Sequence, residues 1–168
     1  AYWAIDNNKY TEDTNRFFGN IYANYQTDFG TANHKLNAKY MVGVDAYTTH
    51  YSDSYGYGSN TGGGRGQIEN YGWTNATYNS LLTINYDWHI NDDWGLNAVV
   101  GNEFIQSNRK KYYEYGSNYN FAGWNHINNA TTQQTEEERW KNRTVGFFAN
   151  VSAAYRNMLY LTVTGRQD

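Results

Sequence analysis

The residues best suited to binding a ligand are aromatic side chains in two long segments between apolar stretches. Tyrosine and tryptophan offer flat apolar rings that stack on sugars or peptide side chains, and their OH and NH groups add hydrogen bonds. The candidate contacts for substrate or partner are Tyr55, Tyr57, Trp73, Tyr113, Tyr115, Tyr119 and Trp124. The alternative is that these rings pack the connecting segments against each other or against a partner.

Motifs for catalysis or metal binding are absent from the sequence. The chain has no cysteine, and no pair of its four histidines has the close helical spacing of a zinc motif. His89 with Asp92 and Asp93 could hold a cation, but a polar turn is the simpler interpretation. No Ser/His/Asp grouping stands out. We therefore predict that the chain is not an enzyme and uses no metal or cofactor.

Composition favours β-sheet. The 168 residues include 18 Tyr, 7 Phe and 6 Trp but no proline, and the mean hydropathy is −0.89. Aromatic residues and threonine favour strands, and proline is excluded from paired central strands. The net charge of −3 comes without a basic stripe, so we expect no nucleic-acid partner. No apolar run of about 18 residues is present to form a transmembrane helix.

Six stretches alternate apolar and polar residues, which is the pattern of a strand with two different faces. They cover residues 17–28, 34–47, 76–88, 94–105, 143–155 and 158–168. A membrane barrel alternates in this way, with apolar residues against lipid and polar residues towards the lumen. The residues predicted to face lipid are Leu36, Tyr40, Val42, Val44, Leu82, Ile84, Leu96, Val100, Val145, Val151 and Leu161.

The connections alternate between short and long, and the long ones are predicted at about 48–75 and 106–142. In an up-and-down meander every second connection lies at the same end, so short turns share one rim and long external loops the other. Transmembrane barrels have this asymmetry. The predicted strands also reach the roughly 9–11 residues that a tilted strand needs to cross a bilayer.

Aromatic residues mark both ends of the apolar face, as in the girdles that border a membrane. The row predicted near the short turns is Tyr25, Trp88, Trp94 and Tyr155. The row predicted near the long loops is Phe17, Tyr78, Phe104 and Phe147. The sequence thus predicts an all-β fold, an antiparallel up-and-down segment of a transmembrane β-barrel.

Six strands are too few to close a membrane barrel, whose bacterial minimum is about eight. We therefore expect residues 1–168 to be part of one larger β-barrel domain, with strands missing on both sides. Residues 1–16 are predicted to be the tail of an external loop.

Two quoted stretches carry a family resemblance. "NRTVGFFANVSAAYRNMLYLTVTGRQD", 142–168, and "FFGNIYANYQTDFGTANHKLNAKYMVGVDAY", 17–47, resemble strands of the SusC/RagA family of TonB-dependent outer-membrane transporters. The resemblance implies a barrel of 22 strands with an N-terminal plug, a TonB-contacting segment and a SusD-like surface lipoprotein as partner. It places the plug and the TonB-contacting segment outside this sequence.

The resemblance implies import of a bulky nutrient, a glycan or an oligopeptide, across the bacterial outer membrane. The chain would supply wall strands against outer-membrane lipid, together with external loops. The alternative is a soluble, surface-exposed β-sandwich that binds glycans or acts as an adhesin. The same aromatic residues would serve as its binding site.

Arginine substitution on the two faces of a strand separates these alternatives. If Val42 and Ala149 lie in the hydrocarbon layer, Val42→Arg and Ala149→Arg each lower the free energy of unfolding in lipid by about 2–4 kcal/mol. Asn37→Arg, on the opposite face, costs little. Denaturant unfolding in lipid vesicles measures both effects, and equal costs at positions 37 and 42 would contradict the assignment of faces.

Overall fold

Six strands account for most of the chain, and aromatic and β-branched residues alternate with polar ones over much of their length. The computed structural model describes residues 2–168. A short helix, α1, spans Tyr2–Asn7 and precedes the first strand. The strands are β1 Lys9–Thr27, β2 His34–Tyr55, β3 Gln67–His89, β4 Trp94–Tyr119, β5 Ala130–Tyr155 and β6 Leu159–Gln167. Two 3₁₀ turns, Thr61–Gly64 and Ile127–Asn129, lie in the two longer connections.

The strands form one sheet in the order β1-β2-β3-β4-β5-β6, so each strand pairs with its neighbours in sequence. The antiparallel register of the last pair places Val151 opposite Val163 and Asn150 opposite Thr164. The all-β, antiparallel, up-and-down prediction is confirmed. A sandwich needs two facing sheets, and residues 2–168 form only this one.

The predicted strand boundaries are wrong beside the long connections, because the strands extend into both of them. Most of 48–75 and 106–142 is strand, which leaves connections of only 56–66 and 120–129. Residues 9–16, predicted to be loop, belong to β1, and the charged stretch 136–140 lies within β5. Tyr, Thr and charged residues take the place of Val and Leu in these segments, so the apolar signal fades while the strand does not.

The three short turns lie side by side, as predicted. The backbone NH of His89 donates to the carbonyl of Asn33 at 2.8 Å. The NH of Arg156 donates to the carbonyl of Asp93 at 2.7 Å. The Arg156 guanidinium also pairs with both carboxylate oxygens of Asp93, at 2.8 and 3.3 Å. These contacts join the β1–β2, β3–β4 and β5–β6 turns.

The β5–β6 turn shows how its two central residues reverse the chain. Arg156 and Asn157 have φ values of 50° and 55°, in the left-handed region. The NH of Met158 donates to the carbonyl of Tyr155 at 3.0 Å. Positive φ at both central residues matches the twist of a hairpin. The connection has three residues, 156–158, one more than the predicted two.

Contacts divide the chain into two compact units. The turn-end unit contains Phe18–Asp45, Thr77–Ser107 and Asn142–Asp168. The loop-end unit contains Ala1–Phe17, Ala46–Ala76 and Asn108–Lys141, and includes a small buried cluster of Ile68, Tyr119 and Ala130 with Ile127 against it. Within residues 2–168, neither α1 nor the 3₁₀ turns has the length and hydropathy needed to cross a lipid bilayer.

Candidate functional site

A row of ring contacts crosses five neighbouring strands of the loop-end unit. Tyr10 on β1 contacts Tyr51 on β2, with ring centroids 6.3 Å apart. The Tyr51 ring stacks on Tyr71 of β3 at 4.8 Å with an interplanar angle of 10°, and also contacts Trp73 at 5.6 Å. Strand spacing of about 4.8 Å gives the row a length of roughly 20 Å across β1–β5. We call it the aromatic ladder and define it as Tyr10, Tyr51, Tyr71, Trp73, Arg109 and Trp140.

Arg109 on β4 continues the ladder as a cation between two indoles. Its guanidinium carbon lies 5.7 Å from the Trp73 ring centroid and 5.6 Å from that of Trp140 on β5. A guanidinium within about 6 Å of an aromatic ring is attracted by the ring quadrupole. Arg109 and Trp140 are exposed, so these groups are open to a ligand.

Carboxylates accompany the tyrosines of this face. The Tyr51 hydroxyl donates to Glu12 at 3.1 Å, and the Tyr55 hydroxyl donates to Asp53 at 3.4 Å. Burial, followed by the hydrogen bond and negative charge of Glu12, raises the pKa of Tyr51. Burial, followed by the negative charge and the hydrogen bond of Glu69, also raises the pKa of Tyr113. These hydroxyls therefore remain protonated hydrogen-bond donors beside negative charge.

The opposite face of the loop-end unit is polar and has its own hydrogen bonds. His50 Nδ1 and the Tyr112 hydroxyl are 2.7 Å apart, and Ser52 donates to Asn70 at 2.8 Å. Asn70 in turn donates to Glu114 at 3.5 Å. Both faces of this unit therefore carry groups that water solvates well.

The two faces of the turn-end unit differ sharply in polarity. On the polar face, Asn97 donates to Asn85 at 2.7 Å and to Asp87 at 2.6 Å. Arg166 pairs with Glu103 at 2.7 Å. The other face carries the residues predicted to meet lipid. Seven of these are exposed, namely Tyr40, Val42, Leu82, Val100, Val145, Val151 and Leu161.

The sequence-predicted contact residues fall into three groups. Trp73 belongs to the ladder, and alternation places Tyr55, Tyr113 and Tyr115 on the same face of β2 and β4. Tyr57 and Trp124 are exposed in the two longer connections. The Trp124 ring stacks on His126 at 4.9 Å and on Phe121 at 6.0 Å.

Tyr119 forms the third group because its side chain is fully buried. Its relative exposure is 0%, and Gly66, with a φ of +77°, lies against its ring. Beside it in the buried set, Asn129 donates from Nδ2 to the carbonyls of Phe121 and Trp124, both at 2.8 Å. Tyr119 therefore packs in the buried cluster beneath the connections, and its ring is not accessible to a ligand.

Sequence reasoning missed Tyr10, Tyr51, Tyr71, Arg109 and Trp140. The signal was present, because Tyr51 and Tyr55, and likewise Tyr71 and Trp73, keep the spacing of two that marks one strand face. The prediction of loops at 48–75 and 106–142 leaves this alternation unused. No group of three or more His, Asp or Glu side chains in residues 2–168 is arranged to hold a metal ion.

Comparison with solved structures finds this arrangement of strands in known transporters. The fold of this chain matches that of chains in the RagAB peptide transporter. One such structure superposes with a TM-score of 0.83 at 14% identity, over 96% of this chain and 18% of that one. The RagAB peptide importer in its "closed-closed" state gives 0.82 at 15% identity, over 98% and 18%. The "open-open" state gives 0.78 at 15% identity, over 96% and 18%.

The likeness concerns the fold. The chain spans less than a fifth of the length of these structures, and the prediction of a barrel segment is confirmed. No family model matches the sequence, and no curated protein matches it significantly.

Substitution at Tyr119 tests its structural role. Its hydroxyl has no hydrogen-bond partner among residues 2–168, and burial raises its pKa to about 12. Tyr119→Phe should therefore be neutral or stabilising, since it removes a buried polar group without a partner. Tyr119→Ala should lower the free energy of unfolding by about 3–5 kcal/mol through the cavity that it leaves.

The pH dependence follows from the same pKa. Between pH 10 and about 12 the folded state keeps a proton that the unfolded state releases, so the free energy of unfolding falls as pH rises. Across this window the wild type should lose on the order of 2–3 kcal/mol more than Tyr119→Phe. Unfolding curves at several pH values measure this difference, and parallel pH profiles would contradict the burial of Tyr119.

Proposed function

We propose that this chain forms wall strands and external connections of a SusC/RagA-like importer in the bacterial outer membrane. The apolar face of the turn-end unit contacts outer-membrane lipid, and the aromatic ladder contacts the nutrient on its way in. The nutrient is bulky, an oligopeptide or a glycan. The chain carries out no bond chemistry.

The exposed apolar face is the observation that carries the proposal. Ile21 is 75% exposed, Val42 41% and Leu161 67%, although alternate residues on the same strands are polar. Soluble monomers rarely expose a continuous apolar surface above a few hundred Å². Hydrocarbon removes that cost, and backbone pairing within the sheet leaves few polar groups unsatisfied in lipid.

Aromatic contacts near the short turns support a membrane boundary there. The Trp94 and Tyr155 rings are 4.8 Å apart, and His34 stacks on Trp88 at 5.7 Å. The His34 ring also shares a 2.7 Å hydrogen bond with the Tyr86 hydroxyl. Rings with an apolar body and a polar edge favour the headgroup region.

The other predicted boundary residues have the exposure that this role needs. Tyr25, Trp88 and Trp94 are exposed at one end of the apolar face, and Tyr78 and Phe147 are exposed towards the other. Phe17, in the loop-end unit, is exposed as well. Phe104 lies under a cation, since the Arg143 guanidinium carbon is 5.8 Å from its ring. Long cationic side chains and aromatic rings are each favoured where a protein meets headgroups.

The proposed partners follow from the family resemblance and are supported by the likeness to the RagAB peptide transporter. A SusD-like surface lipoprotein covers the external connections, and the TonB complex supplies energy through parts outside this chain. Exposed apolar residues suited to a protein partner lie on α1 and in 120–129, namely Trp3, Ile5, Phe121 and Trp124. A hydrogen bond of 2.9 Å from Asn125 Nδ2 to the Asn7 carbonyl joins these elements.

Membrane fractionation and uptake test the proposal together. In cells that produce the intact protein, it should sediment with the outer membrane and require detergent for extraction. The double substitution Trp73→Ala and Trp140→Ala should lower uptake of labelled nutrient peptides or glycans at least tenfold, because it removes the rings on both sides of Arg109.

Tyr112→Ala is the matched control, because it removes a ring from the opposite face of the same unit. It should leave uptake within twofold of wild type. Recovery of the protein in the soluble fraction would contradict the membrane assignment. Unchanged uptake in the double variant would contradict the role of the ladder.

A further inference from the structure

The ladder already holds one cation, and its geometry shows which ligand group suits the remaining rings. The Arg109 guanidinium lies between Trp73 and Trp140, at 5.7 and 5.6 Å from their ring centroids. Tyr10 and Trp140, at the two ends of the ladder, are 57% and 47% exposed. A second guanidinium or an ammonium group would be attracted to these ring faces in the same way.

Carboxylates lie among the rings on this face. Glu12 accepts a hydrogen bond from the Tyr51 hydroxyl at 3.1 Å, and Asp53 accepts one from the Tyr55 hydroxyl at 3.4 Å. Glu136 and Glu138 on β5 line a small cleft with Lys111 and Tyr113 of β4. An oxygen that accepts one tyrosine hydroxyl retains further lone pairs for a donor from a ligand.

Charge is divided unequally between the two faces of the loop-end unit. Alternation along the strands places five carboxylates and three cations on the ladder face, a net charge of about −2. They are Glu12, Asp53, Glu69, Glu136 and Glu138, with Arg16, Arg109 and Lys111. The opposite face has three carboxylates and four cations, which are Asp13, Glu114 and Glu137, with Lys9, Lys110, Arg139 and Lys141. Negative charge is thus concentrated on the face that carries the rings.

The size of the ladder fits a short extended chain. It is roughly 20 Å long across five strands, and an extended peptide rises about 3.3 Å per residue. About six peptide residues would therefore cover it. Because side chains alternate between the two faces of an extended peptide, every second side chain would lie over the rings.

We propose that the aromatic ladder selects extended oligopeptides that carry arginine or lysine, in preference to acidic peptides and to neutral glycans. This inference rests on the proposed function and specifies its substrate. Cationic side chains stack on the rings, while the carboxylates accept hydrogen bonds from the NH groups of those side chains. A glycan would stack as well, but it would gain nothing from the excess of carboxylates. An acidic peptide would be repelled.

Equilibrium binding to the intact protein in detergent tests this selectivity. The probes are three fluorescent hexapeptides of equal length, each with one tyrosine, carrying three Arg, three Glu or three Gln, together with a neutral hexasaccharide. The basic peptide should bind at least tenfold more tightly than each other probe at low salt. The preference should shrink at high ionic strength, because exposed charges are screened.

Neutral isosteric variants identify the groups responsible. Glu12→Gln combined with Glu69→Gln should reduce the ratio of basic to neutral peptide affinity at least fivefold. Glu114→Gln, on the opposite face, removes the same kind of charge and should leave the ratio unchanged. A ratio that falls equally in both variants would overturn the inference, because only net charge would then matter.

The other outcomes distinguish this inference from the proposed function. If peptides bind regardless of charge, or if the hexasaccharide binds most tightly, and Trp73→Ala weakens that binding, then cationic selectivity is wrong while the ladder remains a nutrient surface. If no probe binds, or if neither Trp73→Ala nor Trp140→Ala changes any affinity, then the inference and the proposed role of the ladder both fail.

Discussion

The structure depends on the alternation of side chains along a strand, which gives each strand two faces in different surroundings. In the turn-end unit one face is hydrogen-bonded and charged, as the Asn97–Asp87 and Arg166–Glu103 contacts show. The other face is aliphatic and exposed, and residues 2–168 contain no second sheet to cover it. A surface of this kind is stable where the surrounding solvent is itself apolar.

The loop-end unit uses alternation for a different purpose. Both of its faces are polar enough for water, but the rings are gathered on one of them. The stack of Tyr51 on Tyr71 and the position of Arg109 between two tryptophans produce a continuous surface from five separate strands. Because strands position it, this surface is better ordered than a set of rings on flexible loops.

Much of the fold could be predicted from sequence, because apolar residues alternate clearly with polar ones in the strand segments that we propose to lie in lipid. The six strands and the shared rim of short turns follow from Leu, Ile and Val at spacing two. The strand extensions did not follow, since in 48–55 only tyrosines keep the spacing of two, and in 130–142 no hydrophobic period remains. Nor could sequence show that Tyr119 is buried, because Gly66 reaches its ring across a connection.

The claim that lipid covers the apolar face is tested most directly by spin labels along β2. The chain has no cysteine, so Met41→Cys, Val42→Cys, Gly43→Cys, Val44→Cys and Ser52→Cys each carry one label. In bilayers, collisions with oxygen should be frequent at positions 42 and 44 and rare at 41 and 43, while a water-soluble nickel complex reaches position 52. Labels at 42 and 44 that are shielded from oxygen, or that are reached by the nickel complex as readily as position 52, would contradict the account.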